Sequence, residues 1–433
     1  MKLGRDLSHK IAKFKSDVRA RISLNLLMVV FLASLPAELL CNVRPILLVL
    51  DGKPYFPILV KYSEKDFGGV SPSEPDYKSE YFQQLLKGEP IRLANDPSQD
   101  PDFEGMDLSP DDFEDSEESI YLPLDELDDD NKQSSHTPQL VDQKPFEVKT
   151  KKMNSPFHFY SKSDSQTRII WEIWPPVRYD YKYIPTTSKS GVIALAAPYE
   201  TEAPSSWEDG HYLGTDDRGR DVLARLIYGF RVSMVFGLAL AVTGTILGCL
   251  IGSIQGYFGG WVDLIGQRLT EIWGSMPRLY LLIILSSFFV PSTLLLFLIL
   301  NLTAWMGISA YIRAEFLKAR NLEYVKGARA MGVSNFEIIR RHILPNSLTP
   351  VITFFPFEVT AGILALVSLD YLNLGVPSPA PSMGELLAQG KSNLQATWII
   401  LPTFILLTGT LTLLTFIGDG IRNAFDPRKS IKS

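Results

Sequence analysis

Few residues in this chain could carry covalent chemistry, and their spacing argues against it. The five histidines are His9, His136, His158, His211 and His342. None falls inside an apolar run and no two are spaced His-x-x-x-His, so an intramembrane metalloprotease has no ligand set. Cys41 and Cys249 lie far apart in apolar surroundings and form neither a disulfide framework nor a metal-type pair. The run from Gly384 to Gly390-Lys391-Ser392 imitates a phosphate loop, but five residues separate its glycines. A nucleotide cradle needs four. No cofactor site is expected on this chain, and if the protein uses ATP energy another chain must bind the nucleotide. Asn301-Leu302-Thr303 fits a glycosylation pattern by chance, inside an apolar segment. One carboxylate stands out for the opposite reason: Glu358 sits about two turns inside an apolar run. An intramembrane acid is a candidate for a transport pathway, for a watery cleft, or for snorkelling to the nearby cytoplasmic surface.

The elements that must position these groups follow from hydropathy. The 433 residues carry a net charge of −6 and are 46% hydrophobic, with a mean hydropathy of +0.07. That average conceals two unlike parts. Residues 51–150 hold about 25 Asp and Glu against about 9 Lys and Arg, the wrong sign for nucleic acid. Residues 232–420 hold repeated apolar runs of about 20 residues, the length that crosses a bilayer. Expected spans are 22–41, 232–256, 272–290, 292–312, 350–371 and 397–417. Backbone groups in lipid must bond within their own segment, so these are helices. The fold class is an all-α polytopic membrane protein with six transmembrane helices and a large, partly β and partly disordered insertion between the first two.

Lys and Arg orient it. The basic N-terminus (1–21), the loop 313–346 and the C-terminal tail fall on one face in a six-helix count. The positive-inside rule makes that face cytoplasmic and places segment 42–205 outside. Within that segment, Asp51-Gly52 between apolar runs signals a hairpin in a small β-containing cap. Residues 96–132, rich in Asp and Glu, have little to bury and are expected to be disordered. Their spacing does not fit a calcium loop.

Residues 206–433 hold the informative patterns. Gly244, Gly248, Gly252 and Gly256 recur every four residues and form one helix face for close packing against a neighbour, in this chain or another. Pro277, Pro356 and Pro402 interrupt spans. In the loop 313–346, Arg313 to Met331 reads as helical. Gly332 can take a positive φ and end that helix. Ser334 and Glu337 form a capping box for the next one, which Pro345 stops. Such an elbow, with small residues Gly327 and Ala328 at its tip, can press into a groove of another protein or rest on lipid head groups.

This loop resembles the coupling loop of binding-protein-dependent ABC importer permeases: Glu-Ala-Ala, three residues, Gly, nine residues, Ile, one residue, Leu-Pro. Lys326-Gly327-Ala328, Gly332, His342 and Leu344-Pro345 fall at those positions. Lys326 replaces the Glu and Gly327 the first Ala; Glu323, one turn earlier, brings a carboxylate nearby. The stretches from His211 to Leu226, from Gly256 to Asp263 and from Gly418 to Arg428 are similar to the dipeptide/oligopeptide branch. Three further stretches are most similar to the microcin C/oligopeptide importer permeases: Asp51 to Pro57, Ser63 to Gly69 and Gly384 to Lys391. The resemblance implies a type I ABC importer permease fold in a bacterial inner membrane. It also implies no enzymatic activity on this chain and transport of peptides or peptide-like compounds by alternating access. The implied partners are a second homologous permease, two ATP-binding subunits, a periplasmic peptide-binding protein and the lipid bilayer. Glu323, Lys326, Gly327, Ala328, Arg329, Gly332, Leu344 and Pro345 become candidates for docking the ATPase. The competing readings are a membrane-embedded enzyme, for which no nucleophile–base pair is found, and a sensor or scaffold whose acidic segment binds a partner.

Overall fold

The computed structural model describes residues 10–87, 170–185, 188, 191–199, 205–289 and 292–425. The acidic stretch 96–132 lies outside them. Among the described residues four helices are long and apolar enough to cross a membrane. They are α4 (Val222–Phe258), α7 (Thr293–Ala319), α9 (Asn335–Tyr371) and α11 (Thr397–Phe425). Before them come α1 (Val18–Ser34) and a single turn, α2 (Ala37–Leu40), then β1 (Leu47–Leu50), β2 (Lys53–Tyr55), α3 (Glu80–Lys87) and β3 (Ile170–Ile173). Between the long helices lie α5 (Gly260–Gly274), α6 (Arg278–Phe288), α8 (Glu323–Ala330) and α10 (Met383–Ser392).

Two expected spans take a different form. The segment expected at 22–41 is a 17-residue helix that stops at Leu35 and resumes beyond Pro36. The segment expected at 272–290 is split. Pro277, extended at φ −65° and ψ 120°, has no N–H to continue α5 and instead starts α6. Pro350, Pro356 and Pro402, by contrast, sit inside continuous helices. Pro345 does not stop its helix as expected. The chain widens into a π turn over Ile338–Ile343, the Leu344 N–H donates to the Ile339 carbonyl, and Pro345 occupies the first turn of the stretch that follows, Leu344–Tyr371.

The helix α4 starts ten residues earlier than hydropathy suggested, at Val222 rather than 232, where Asp221 caps it by accepting the Ala224 N–H at 2.7 Å. It then packs lengthwise on α7 and crosses α9. The glycine ladder makes the α4–α7 contact. A Cβ at Gly244 would lie 3.1 Å from Ala304 Cβ, and one at Gly248 would lie 2.8 Å from the Trp305 carbonyl oxygen. One at Gly256 would lie 2.5 Å from Phe316 Cβ. The neighbour is therefore this chain's own helix. Gly237 and Gly362 do the same for α4 and α9, with Gly362's added Cβ 3.0 Å from Gly237 Cα. The helix α1 lies along α11, whose buried side chains Leu407, Leu414 and Ile417 share a core with Leu27, Val359 and Ile363.

Outside the bundle the Asp51-Gly52 hairpin forms. Both turn residues have positive φ (51° and 78°) and Leu50 pairs with Lys53, as a two-residue turn between twisted strands requires. On its other side β1 pairs antiparallel with β3, giving the order β2-β1-β3. Leu48 and Leu50 face a small aromatic core with Phe67, Tyr77, Phe82 and Leu86, where the rings of Phe67 and Phe82 meet edge-on at 5.4 Å.

Candidate functional site

The elbow between α7 and α9 is built as a rigid projection. After Ala319 the chain turns, and α8 lays Val325 and Ala328 into a core with Ile312, Phe316, Ile338 and Ile343. Met331 ends the helix and Gly332 turns the chain at φ +80°, a region only glycine enters freely. The Ser334 hydroxyl accepts the Glu337 N–H at 3.3 Å, as expected of a cap, while the Glu337 carboxylate accepts from Arg341 at 2.8 Å. Two further contacts tie the elbow to the end of α4. The Tyr257 hydroxyl donates to Asn335 Oδ1 at 2.7 Å, and the Arg329 guanidinium lies 5.4 Å from the Tyr257 ring centre.

This geometry sorts the residues named from sequence. Ala328 is 2% exposed and points inward, so it seats the elbow rather than touching anything beyond it. Gly327 faces open space. Glu323 and Lys326 are exposed and pair at 3.2 Å, a surface contact worth at most about 1 kcal/mol. Leu344 and Pro345 lie at the base, in the first turn of the long stretch of α9. The apolar tip is made by side chains the motif does not mention: Met331 and Phe336 are 79% and 71% exposed, and Tyr324 of α8 is exposed as well. Exposed apolar residues on either side of a motif glycine are the signal that could have found them in sequence.

A second feature was missed altogether. Asp216 and Arg220, in the segment before α4, and Arg225, in its first turn, are fully buried. Arg220 Nε donates to Asp216 Oδ2 at 2.7 Å, and Arg225 Nη1 binds the same carboxylate. Arg225 Nη2 reaches Glu385 of α10 at 2.5 Å, and Arg220 Nη1 donates to the Ser378 hydroxyl at 2.6 Å. This network joins the start of α4 to α10. The charges offset one another's desolvation only because the geometry is shared among all four. It also places the phosphate-loop look-alike within the helix α10, where its backbone N–H groups are committed. Beside the network, His211 Nδ1 lies 2.8 Å from Asp221 Oδ2 and its ring stacks on Tyr179 at 3.8 Å. On the other face of Tyr179 sits the Lys78 ammonium, 3.1 Å from the ring centre. Burial drives the Lys78 amine down to about 7, against the attraction of Asp76 and Asp221.

The third feature lies in the bundle. Glu358 opens onto a cavity of about 220 Å3 between α4, α7 and α9, lined also by Thr303, Ala304, Gly307, Ala361 and Gly362. Asn301, of the glycosylation look-alike, is inside α7 and donates to Thr243 Oγ1 at 2.6 Å.

Residues 244–431 match the family described as binding-protein-dependent transport system inner membrane component. The match extends well beyond that stretch. The chain is 36% identical to the peptidoglycan transport system permease protein YejE of Agrobacterium fabrum, over 97% of this chain and 92% of that protein. This chain belongs to that permease family. The inner membrane ABC transporter permease protein YejE of Escherichia coli is 35% identical over 97% of this chain and 96% of its own length. The oligopeptide transport system permease protein OppC of Haemophilus influenzae is 36% identical, but over 52% of this chain and 73% of that protein. A chain from a structure of inward-facing conformations of the MetNI methionine ABC transporter superposes on 47% of this chain at a TM-score of 0.40 and 16% identity. As a member of the family, the chain is a multi-pass permease subunit of an ABC transport system and not an enzyme.

Proposed function

We propose that this permease imports oligopeptides or peptide-like compounds across the inner membrane by alternating access. Its elbow would be the handle moved by separate ATP-binding subunits. The observation that carries the reading is the elbow itself: Val325, Ala328, Ile338 and Ile343 anchor it in a packed core while Met331 and Phe336 stand free at its tip. A seated lever with an exposed apolar tip transmits force, because a displacement of the tip moves α7 and α9 as solid bodies. The relatives, a peptidoglycan and an oligopeptide transport permease, supply the substrate class. In this reading the elbow and both termini are cytoplasmic, and the β-sheet cap with the acidic segment is periplasmic. The assembly would comprise a second permease, two ATP-binding subunits carrying ATP and Mg, and a peptide-binding protein. Ligand and nucleotide would be coupled because each favours one arrangement of the helices. Glu323, Lys326, Gly327 and Arg329 would border the contact, with Gly332 fixing its angle.

The test is co-purification from native membranes in mild detergent. With Met331→Asp and Phe336→Asp together, the chain should still insert while the ATP-binding subunits are lost at least tenfold, since apolar anchors in desolvated pockets carry most of an interface's energy. Undiminished recovery of those subunits would refute the assignment.

A further inference from the structure

A cleft of about 560 Å3 lies where the β-sheet cap meets the bundle, within the roughly 300–1,000 Å3 of small-molecule sites. Four segments distant in sequence build it: the stretch from α2 to β1, the stretch before α3, the stretch after β3 and the first turns of α4. Most of its charged side chains are matched to one another. Arg231 donates to both oxygens of Glu38 at 2.9 Å. Arg44 pairs with Glu74, its Nη2 donating at 2.8 Å. Asp76 accepts the Lys78 N–H at 3.1 Å through Oδ1 and the Tyr183 hydroxyl at 3.3 Å through Oδ2. Asp180 differs. It is 8% exposed, and its Oδ1 alone accepts two backbone N–H groups, of Lys182 at 2.9 Å and of Tyr183 at 2.7 Å. Among the described residues nothing donates to its Oδ2, and the exposed Lys182 makes no ion pair with it. A carboxylate so deeply buried is ordinarily supplied with donors, so the second oxygen is set for one that this chain does not provide. A metal ion is a poor candidate, since no group of three or more His, Cys, Asp or Glu among the described residues could hold one. A guanidinium would find only half of its paired geometry on one oxygen. An ammonium is served by one oxygen and is also attracted to the faces of aromatic rings. The rings are at hand: Tyr181 and Tyr228, 4.8 Å apart, line the same cleft.

We propose that the cleft between cap and bundle binds the amino end of a short peptide, its ammonium group donating to Asp180 Oδ2. The identity of the ligand rests on the peptide-import reading, but occupancy of the cleft can be measured apart from transport. The experiment follows amide hydrogen exchange across 178–184 in the assembled importer, held in nanodiscs of phosphatidylcholine and phosphatidylglycerol. Trialanine should slow that exchange and N-acetyl-trialanine should not. Asp180→Asn is the decisive variant. Its amide oxygen still accepts both backbone N–H groups, so the turn survives, and only the uncommitted oxygen becomes an NH2 that repels an ammonium. The trialanine concentration giving half-maximal protection should rise at least tenfold, as loss of a charge-assisted hydrogen bond requires, while exchange across 47–55 stays at the parent's rate. Equal protection by the two peptides overturns the proposal, as does equal protection of the parent and Asp180→Asn. Phosphatidylethanolamine carries the same ammonium group from the bilayer. Protection by nanodiscs containing that lipid, with no effect of trialanine in its absence, would assign the cleft to a headgroup and overturn the peptide proposal. Protection by trialanine without its uptake in proteoliposomes would uphold the site and sink the import reading. Uptake without protection would overturn the site and leave the import reading standing.

Discussion

The same substitution, Gly→Ala, should have opposite signs at two places in this chain, and the structure gives the size of each. At Gly248 an added Cβ would stand 2.8 Å from the Trp305 carbonyl oxygen and 2.9 Å from Ile308 Cβ. Comfortable contact begins near 3.5 Å, so α4 and α7 must part by about 0.7 Å or bend. Overpacking of this kind costs about 1–3 kcal/mol. The contact is backbone rather than a movable side-chain end, which puts Gly248 near the top of that range, and a helix-propensity gain of about 1 kcal/mol offsets part of it. The net loss is about 2 kcal/mol. At Gly327 nothing lies within 4 Å of the added Cβ, and the residue is inside the exposed helix α8. There the change should stabilise by about 1 kcal/mol. Steric-trapping measurements of unfolding free energy in bicelles would resolve the resulting difference of about 3 kcal/mol. A Gly248→Ala protein as stable as the parent would show that the α4–α7 seam is looser than the ladder implies.

Other outcomes follow from the region around the start of α4. Lys78 is held down to about 7 by burial, so between that pH and its ordinary value near 10.5 the folded state binds fewer protons than the unfolded state. Stability should therefore rise with pH above about 7, and in Lys78→Met the thermal midpoint should climb less between pH 6 and pH 8.5 than in the parent. Arg225→Met removes one partner from the buried carboxylate of Asp216 and from the half-buried one of Glu385. A loss of about 3 kcal/mol is expected, read as hydrogen exchange on the order of 100-fold faster across 383–392; unchanged protection would mean that Arg220 alone holds the junction. Gly52→Val forces a β-branched residue to φ +78° and should cost about 1–2 kcal/mol, while Gly52→Asn is tolerated, as exchange at 47–55 will show.

How far the sequence alone could be read depended on the range of the interaction. The Asp51-Gly52 hairpin, the positive φ at Gly332 and the Ser334 cap were legible because each is decided within about four residues by backbone sterics and one hydrogen bond. The apolar runs were legible because bilayer thickness sets their length. Their ends were not: α4 extends back to Val222 because Arg225, which hydropathy treats as a membrane limit, is neutralised by Asp216 and by Glu385 from 160 residues away. Nothing local announced that β3 would complete the sheet, because its partner β1 is more than a hundred residues earlier. Likewise, spacing marked Gly327 and Ala328 as equals, whereas packing turned Ala328 into the core and left Met331 and Phe336 outside.

From its sequence by itself this protein was determined to be a helical membrane chain with a glycine-faced helix, a basic elbow and an intramembrane acid, since composition and short-range spacing are properties of neighbouring residues. Only the tertiary structure decided that the glycine face meets α7 of the same chain, that opposite charges close over Arg225, and that Glu358 lines a cavity between α4, α7 and α9. Those outcomes depend on helix rotation and on contacts between distant segments, which no local pattern encodes.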